Sequence, residues 1–389
     1  MHDLPAPSAH ALAHSERLAG LIRREILAGG GAIAFSRYME LCLYSPGHGY
    51  YSAGSQKFGA AGDFVTAPEI STLFGRCLAR TCSGVLAQLE QGDILEFGAG
   101  TGVLAATLLS ELERLDRLPG RYLILERSGE LRSRQRDTLG RMVPRLFDRI
   151  DWLDGLPGRD FHGVLLANEV LDAMPVERFR WSGEGIERFH VECQGDAFGW
   201  CIREAQDPDL VAAVRRLDED PGLLPGYVSE LNLLLSPWLQ GIAGMLERGL
   251  LLLVDYGYPR REYYHPQHRE GTLMCHYRHR AHADPFLWPG LQDITAHVDF
   301  TAVAEAGVAA ELEVVGYTSQ AWFLLDCGLN GLLQAAGPTD SAAYLRQARE
   351  AKTLILPGEM GERFKCIGLG RGLEDPVPGF RGHDFRYRL

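Results

Sequence analysis

Three glycines at alternate positions, Gly98, Gly100 and Gly102, separate an apolar run, Ile94-Leu95-Glu96-Phe97, from a segment of helical period, Val103 to Leu115. With no Cβ, such residues let the backbone turn sharply and approach a ligand closely. The helix that follows offers free N–H groups and a positive dipole end to a polar or anionic group. Two carboxylates flank the turn. Glu96 lies on the first apolar run, and Glu126 closes the next, Tyr122-Leu123-Ile124-Leu125, 24 positions past Gly102. A carboxylate so placed accepts hydrogen bonds from both hydroxyls of a ribose. The spacing is G-x-G-x-G, not the G-x-G-x-x-G of the dinucleotide fingerprint, which argues against a nicotinamide-dependent dehydrogenase. A tight turn in some other α/β protein would explain the glycines but not the paired strand-end carboxylates.

Taken together, the turn and its carboxylates resemble the S-adenosylmethionine site of a class I methyltransferase. On that resemblance, three further positions carry chemistry. Asp151-Trp152 ends a third strand where an adenine ring would lie; a carboxylate accepts from the exocyclic amine and an indole packs on the ring. A core tryptophan beside a surface aspartate explains the pair equally well. Asn168 and Glu169 follow a fourth strand and face the methyl being transferred. Asn168 can orient the donor through its amide, and Glu169 can hold a cationic nucleophile. Asp172 serves the same site or simply forms a turn.

Other polar clusters are weighed against blander readings. Cys275, His276, His279, His282 and Asp284 suggest a metal, but Arg278 and Arg280 interleave and would repel a dication, so no metal site is expected. Asp293, His297 and Asp299 gather polar groups before a helix; Asp299 reads as its N-cap, and His297 as a base or a structural histidine. There is no G-x-S-x-G elbow and no Walker lysine loop.

The elements that must position these residues alternate strand and helix. Strands are expected at Ile94–Phe97, Tyr122–Leu125, Arg149–Leu153, Gly163–Ala167, Leu250–Val254, Leu312–Gly316 and Phe364–Leu369. Helices are expected at Leu12–Leu27, Ile33–Leu43, Ser71–Leu89, Val103–Leu115, Gly129–Leu139, Val228–Glu247 and Asp299–Ala310. Such alternation implies an α/β fold with a parallel, doubly wound, seven-stranded Rossmann-like sheet, with ligands outside the carboxyl ends of its strands. Gly98, Glu126, Trp152, Asn168 and Asp255 should converge there. Residues 1–90 form an N-terminal helical and lid segment, including the glycine-rich loop Lys57–Ser71 with Glu69, which a compact domain keeps only for a reason. The core comprises 91–176, 228–257, 299–320 and a last strand and tail at 362–389. Large insertions follow strands 4, 5 and 6. These are 177–227, with a hairpin around Gly183-Glu184-Gly185, a substrate-side segment 258–298, and a helical segment 321–361.

Composition sets outer bounds. The 389 residues carry a formal charge of −12, which argues against a nucleic-acid surface. The eight cysteines form no C-x-x-C pair and read as reduced side chains. The start lacks a signal-peptide or transit-peptide pattern, and the most apolar run is too short to span a membrane. A cytoplasmic protein without membrane insertion is expected.

Several stretches together resemble one family. They are Phe35–Met39, Tyr44–Tyr51, Gly62–Ser71, the glycine turn, Asn168–Pro175, Asp255–Tyr258, Asp293–Phe300 and Pro357–Lys365. The chain is similar to the MidA-like methyltransferases, whose mitochondrial members are protein-arginine methyltransferases needed for assembly of respiratory complex I. The resemblance covers residues from about 15 to the C-terminus. It implies a class I fold, S-adenosylmethionine as donor and transfer to a guanidinium nitrogen of a protein substrate presenting an arginine, such as an NADH dehydrogenase subunit. The missing transit pattern gives the chain a bacterial look. On this basis Glu169 leads the catalytic candidates, followed by Asn168, Asp172 and Glu69; donor binding falls to Glu96, Gly98, Gly100, Gly102, Glu126, Asp151, Trp152 and Asn168. A methyltransferase of a small molecule or another protein side chain, and a non-catalytic assembly factor on the same scaffold, are the alternatives; oligomeric state is left open.

Overall fold

The computed structural model describes residues 4–52, 66–219, 222–335, 337–338 and 341–389. Most of the expected lid loop, including residues 62–65 of the Gly62–Ser71 stretch, therefore lies outside the described residues. The chain divides into two compact units, each discontinuous in sequence.

One unit gathers Val65–Leu171, Trp238–Gly257 and Phe300–Leu389. Its sheet is built from β1 (Asp93–Phe97), β2 (Tyr122–Leu125), β3 (Ile150–Leu153), β4 (Phe161–Asn168), β5 (Leu246–Tyr258), β6 (Glu313–Ser319) and β7 (Phe364–Arg371). The order along the sheet is β3-β2-β1-β4-β5-β7-β6. β1 to β5 pair in parallel, and Leu250 to Val254 of β5 are buried throughout, as expected of a strand covered on both faces.

The expectation of an all-parallel sheet is corrected at one edge, because β7 runs antiparallel to both β5 and β6. The register explains the reversal. Ser319 at the end of β6 and Asp255 near the end of β5 both oppose Lys365 at the start of β7. The helices between Gln320 and Arg363 thus leave and return at the same edge, and a strand entered from that edge must run backwards.

Helices α1 (Thr72–Leu86), α2 (Val103–Arg114) and α3 (Gly129–Met142) follow in this unit. Ser71 caps α1 by accepting the Leu73 N–H at 3.2 Å. Gly75 of α1 lets α2 approach, since a Cβ there would lie 2.8 Å from a methyl of Thr107. The core of the unit joins α1 and α2 to the sheet through Phe74, Leu78, Val85, Leu104, Leu108, Ile94, Tyr122 and Val164.

The other unit comprises the described parts of Met1–Phe64 with Asp172–Pro237 and Tyr258–Asp299. Helix Ala9–Ala28 is followed by strand Ala32–Ala34, which takes the first residues of the expected second helix; that helix spans Phe35–Tyr44. The expected hairpin pairs Glu177–Trp181 with Ile186–Gln194, opposing Trp181 to Ile186. Tyr227–Leu231 is a strand on its other side, not the start of a long helix, and the helix begins at Leu235. Four of those five strand residues are buried, and continuous burial with β-branched and aromatic content suits a strand. Strand Ala197–Glu204 and helix Pro208–Glu219 were not anticipated. The segment read as a polar insertion holds a small sheet of Arg280–His282, Met274–Tyr277 and Asp293–Thr295. No described helix is long and apolar enough to cross a membrane.

Candidate active site

The turn after β1 is held in a left-handed path. Gly98, Gly100 and Gly102 have φ of 61°, 51° and 84°. An L residue in this region costs roughly 1–2 kcal/mol, so each glycine answers a backbone requirement. The Gly98 N–H donates to the Leu125 carbonyl at 3.1 Å, tying the turn to the end of β2. Gly102 caps α2, whose first-turn N–H groups have no acceptor within the helix.

Glu126 lies just beyond β2 and is 8% exposed. Its Oε1 accepts the Ser128 N–H at 2.9 Å and its Oε2 accepts Gln135 Nε2 at 3.2 Å. Burial pushes its carboxyl up, against the hydrogen bonds that favour the ionised form. Glu96 is more enclosed and accepts the Tyr122 hydroxyl at 2.7 Å. Burial pushes its carboxyl up to about 7, with the Tyr122 bond opposing and the nearby Glu126 adding to the rise.

Gln135 was not anticipated from the sequence, although it connects the parts of this cradle. It donates to the Gly100 carbonyl at 3.1 Å as well as to Glu126, and it accepts the Trp152 indole N–H at 2.9 Å. Its one sequence signal is a glutamine on the buried stripe of α3, beside Thr138 and Leu139.

The Asp151-Trp152 pair separates. Trp152 joins the cradle through Gln135, with the Arg136 guanidinium 4.5 Å from its ring centroid. Asp151 instead pairs with Arg121, ahead of β2, and stands apart from these contacts. Successive strand residues point to opposite faces, which parts the two side chains. Glu69 accepts the Thr101 hydroxyl and so sits beside the glycine turn.

At the end of β4, Ala167 opposes Phe97 of β1, and a Cβ on Gly98 would lie 3.7 Å from Val170. Asn168 and Glu169 thus adjoin the turn. Asn168 Nδ2 donates to Glu169 Oε1 at 3.2 Å, while its buried Oδ1 has no hydrogen-bond partner among the described residues. Glu169 has φ 54°, unusual for a non-glycine residue. Its N–H donates to the Val254 carbonyl at 2.9 Å, and the following two N–H groups donate to Asp255.

Asp172 opens the other unit, where its carbonyl accepts the Ala296 N–H at 3.0 Å. In that unit the Tyr51 hydroxyl donates to both oxygens of Asp293, at 2.9 and 3.0 Å. Burial, then the charges of Asp293 and Asp172, hold the Tyr51 phenol well above its usual range. Tyr50 packs edge-on against Tyr51. The His297 N–H donates to the Thr272 hydroxyl at 3.1 Å, and its ring lies 5.4 Å from that of Tyr258. Among the described residues no group of three or more His, Cys, Asp or Glu could hold a metal ion.

These residues fit an adenosyl donor. The glycines leave the turn open to close approach, the Glu126 carboxylate is braced from two sides, and the Asn168 Oδ1 lacks a partner that a bound group would supply. Fold and site define a class I S-adenosylmethionine-dependent methyltransferase. The sequence profile of the family described as "Putative S-adenosyl-L-methionine-dependent methyltransferase" matches residues 77–318, and the chain belongs to this MidA-like family. A crystal structure of a candidate methyl transferase from Burkholderia thailandensis, bound to S-adenosyl-homocysteine, is 46% identical, covers both chains completely and superposes with a TM-score of 0.95. The mitochondrial protein arginine methyltransferase NDUFAF7 homolog of Caenorhabditis elegans is 27% identical over 87% of this chain and 83% of its own. Human NDUFAF7, likewise a protein arginine methyltransferase by name, is 27% identical over 87% of this chain and 80% of its own. S-adenosylmethionine is the cofactor.

Proposed function

We propose that the enzyme methylates a guanidinium nitrogen of arginine in a protein substrate, with a respiratory-complex subunit as the leading class of target. The observation that carries this reading is Glu169, a carboxylate held at positive φ beside the glycine turn. A left-handed glutamate is retained at a cost, which is expected where the side chain has work to do. The names of the mitochondrial relatives support the acceptor, and the −12 charge is compatible with a basic one.

The chemistry demands positioning. S-adenosylmethionine supplies a methyl on a sulfonium, poised for in-line displacement. The glycine turn, Glu126 and Trp152 hold the nucleoside, Asn168 fixes its orientation, and Glu96 braces the turn through β1. A guanidinium nucleophile is weak while its lone pair is delocalised. Glu169 engages two of its nitrogens, localising charge there and leaving the third to react. Alignment of two bound reactants supplies up to about 7–11 kcal/mol, enough to carry most of the acceleration. Asp172 assists on the acceptor side, and Glu69 acts through Thr101 on the donor side.

The test uses two peptides that differ only in arginine or lysine at one position, with S-adenosylhomocysteine release as the readout. Release with the arginine peptide alone is expected. Equal release with both would overturn the acceptor assignment.

A further inference from the structure

Gln135 is fully buried and meets three parts of the donor site that are far apart in sequence. Trp152 Nε1 donates to its Oε1 at 2.9 Å, while its Nε2 donates to the Gly100 carbonyl at 3.1 Å and to Glu126 Oε2 at 3.2 Å. An indole N–H only donates, so the amide oxygen must face Trp152. Both amide hydrogens then point to the turn carbonyl and the carboxylate. The backbone presses from the other side, since a Cβ on Gly102 would lie 3.2 Å from the Gln135 Cα.

We propose that Gln135 is a positioning residue for donor binding, setting the Glu126 carboxylate in the orientation that receives the ribose hydroxyls and coupling it to the glycine turn and to Trp152. The inference rests on assigning Glu126 to the ribose. It distinguishes Gln135 from an ordinary buried amide, because its effect should fall on ligands that carry the hydroxyls. A residue that merely stabilised α3 would weaken every adenosyl ligand alike.

The experiment is calorimetric titration of the full-length protein with S-adenosylhomocysteine and with its 2′-deoxy analogue. Wild type should prefer the hydroxylated ligand by about tenfold or more, the scale of a hydrogen bond to a charged acceptor. In Gln135→Leu the preference should collapse to within about twofold, with S-adenosylhomocysteine itself bound about tenfold more weakly. Trp152→Phe, which keeps Gln135 but releases its amide to flip, should also reduce the preference, and it carries the test if Gln135→Leu does not fold. A preference unchanged in these variants overturns the inference. Glu126→Gln separates the two assignments. If it keeps the wild-type preference, the ribose assignment fails; if it alone loses the preference, that assignment stands and the role of Gln135 fails.

Discussion

The Leu171 N–H donates to the Asp255 carboxylate at 2.9 Å, and the Val170 N–H reaches the same oxygen at 3.2 Å. The other oxygen accepts the Tyr256 N–H at 2.9 Å, so one buried side chain fastens the end of β4 to the end of β5. With the Glu169 N–H on the Val254 carbonyl, this fixes the backbone that carries Glu169.

Asp255→Asn should therefore act on position, not on donor contact. Replacing one acceptor oxygen by an amide nitrogen, which donates and cannot accept, costs roughly 1–3 kcal/mol, measurable by urea unfolding. Donor affinity by calorimetry should stay within about twofold, while turnover falls by more than tenfold through misplacement of Glu169. Equal loss in both measurements would count against a positioning role.

Glu169 itself should trade stability for activity. Glu169→Gly removes the side chain and the strain of φ 54° together, and is expected to leave the protein as stable or more stable by about 1 kcal/mol. Glu169→Gln keeps the shape but loses the charge. Both should lack methyl transfer and still bind the donor; wild-type rates in either would refute the assignment.

Glu96 gives a pH signature. Its carboxyl, ordinarily near 4.5, is raised to about 7 in the folded state. The folded protein then binds a proton that the unfolded chain has released, so this group's contribution to stability is complete below 4.5 and is lost as pH rises towards 7. Glu96→Gln stays neutral throughout. Relative to that variant, wild type should lose up to roughly 3 kcal/mol between these limits and then level off. Parallel stability curves for the two proteins would contradict the assignment of the raised value to Glu96.

Tyr51→Phe removes the hydroxyl that donates to both oxygens of Asp293. Thermal and urea unfolding should show a loss of about 1–2 kcal/mol. Calorimetry with S-adenosylmethionine should show no change, since neither residue is among those assigned to the donor.

Much of the candidate donor site is legible in the sequence because it depends on local constraints. Glycine is the residue that adopts φ of 61°, 51° and 84° without strain, so the turn declares itself. Glu96 and Glu126 show because carboxylates are seldom buried, and these two stand within and beside apolar runs. Gln135 does not show, since its partners at Gly100 and Trp152 are brought to it only by the packing of α3 on the sheet. The parting of Asp151 from Trp152 is hidden for a related reason: adjacency in sequence means opposite faces in a strand. The reversed β7 is equally hidden, because a strand's apolar pattern reads the same in either direction. Tyr227–Leu231 was lost to a helix because a short buried run does not declare its period.

The most direct test of the account is amino-acid analysis after incubating the full-length protein with methyl-labelled S-adenosylmethionine and an extract of acceptor proteins. Label is expected in methylarginine with wild type and not with Glu169→Gln, although calorimetry finds the donor bound by both. Label recovered from another side chain or a small molecule, with none in methylarginine, would contradict it.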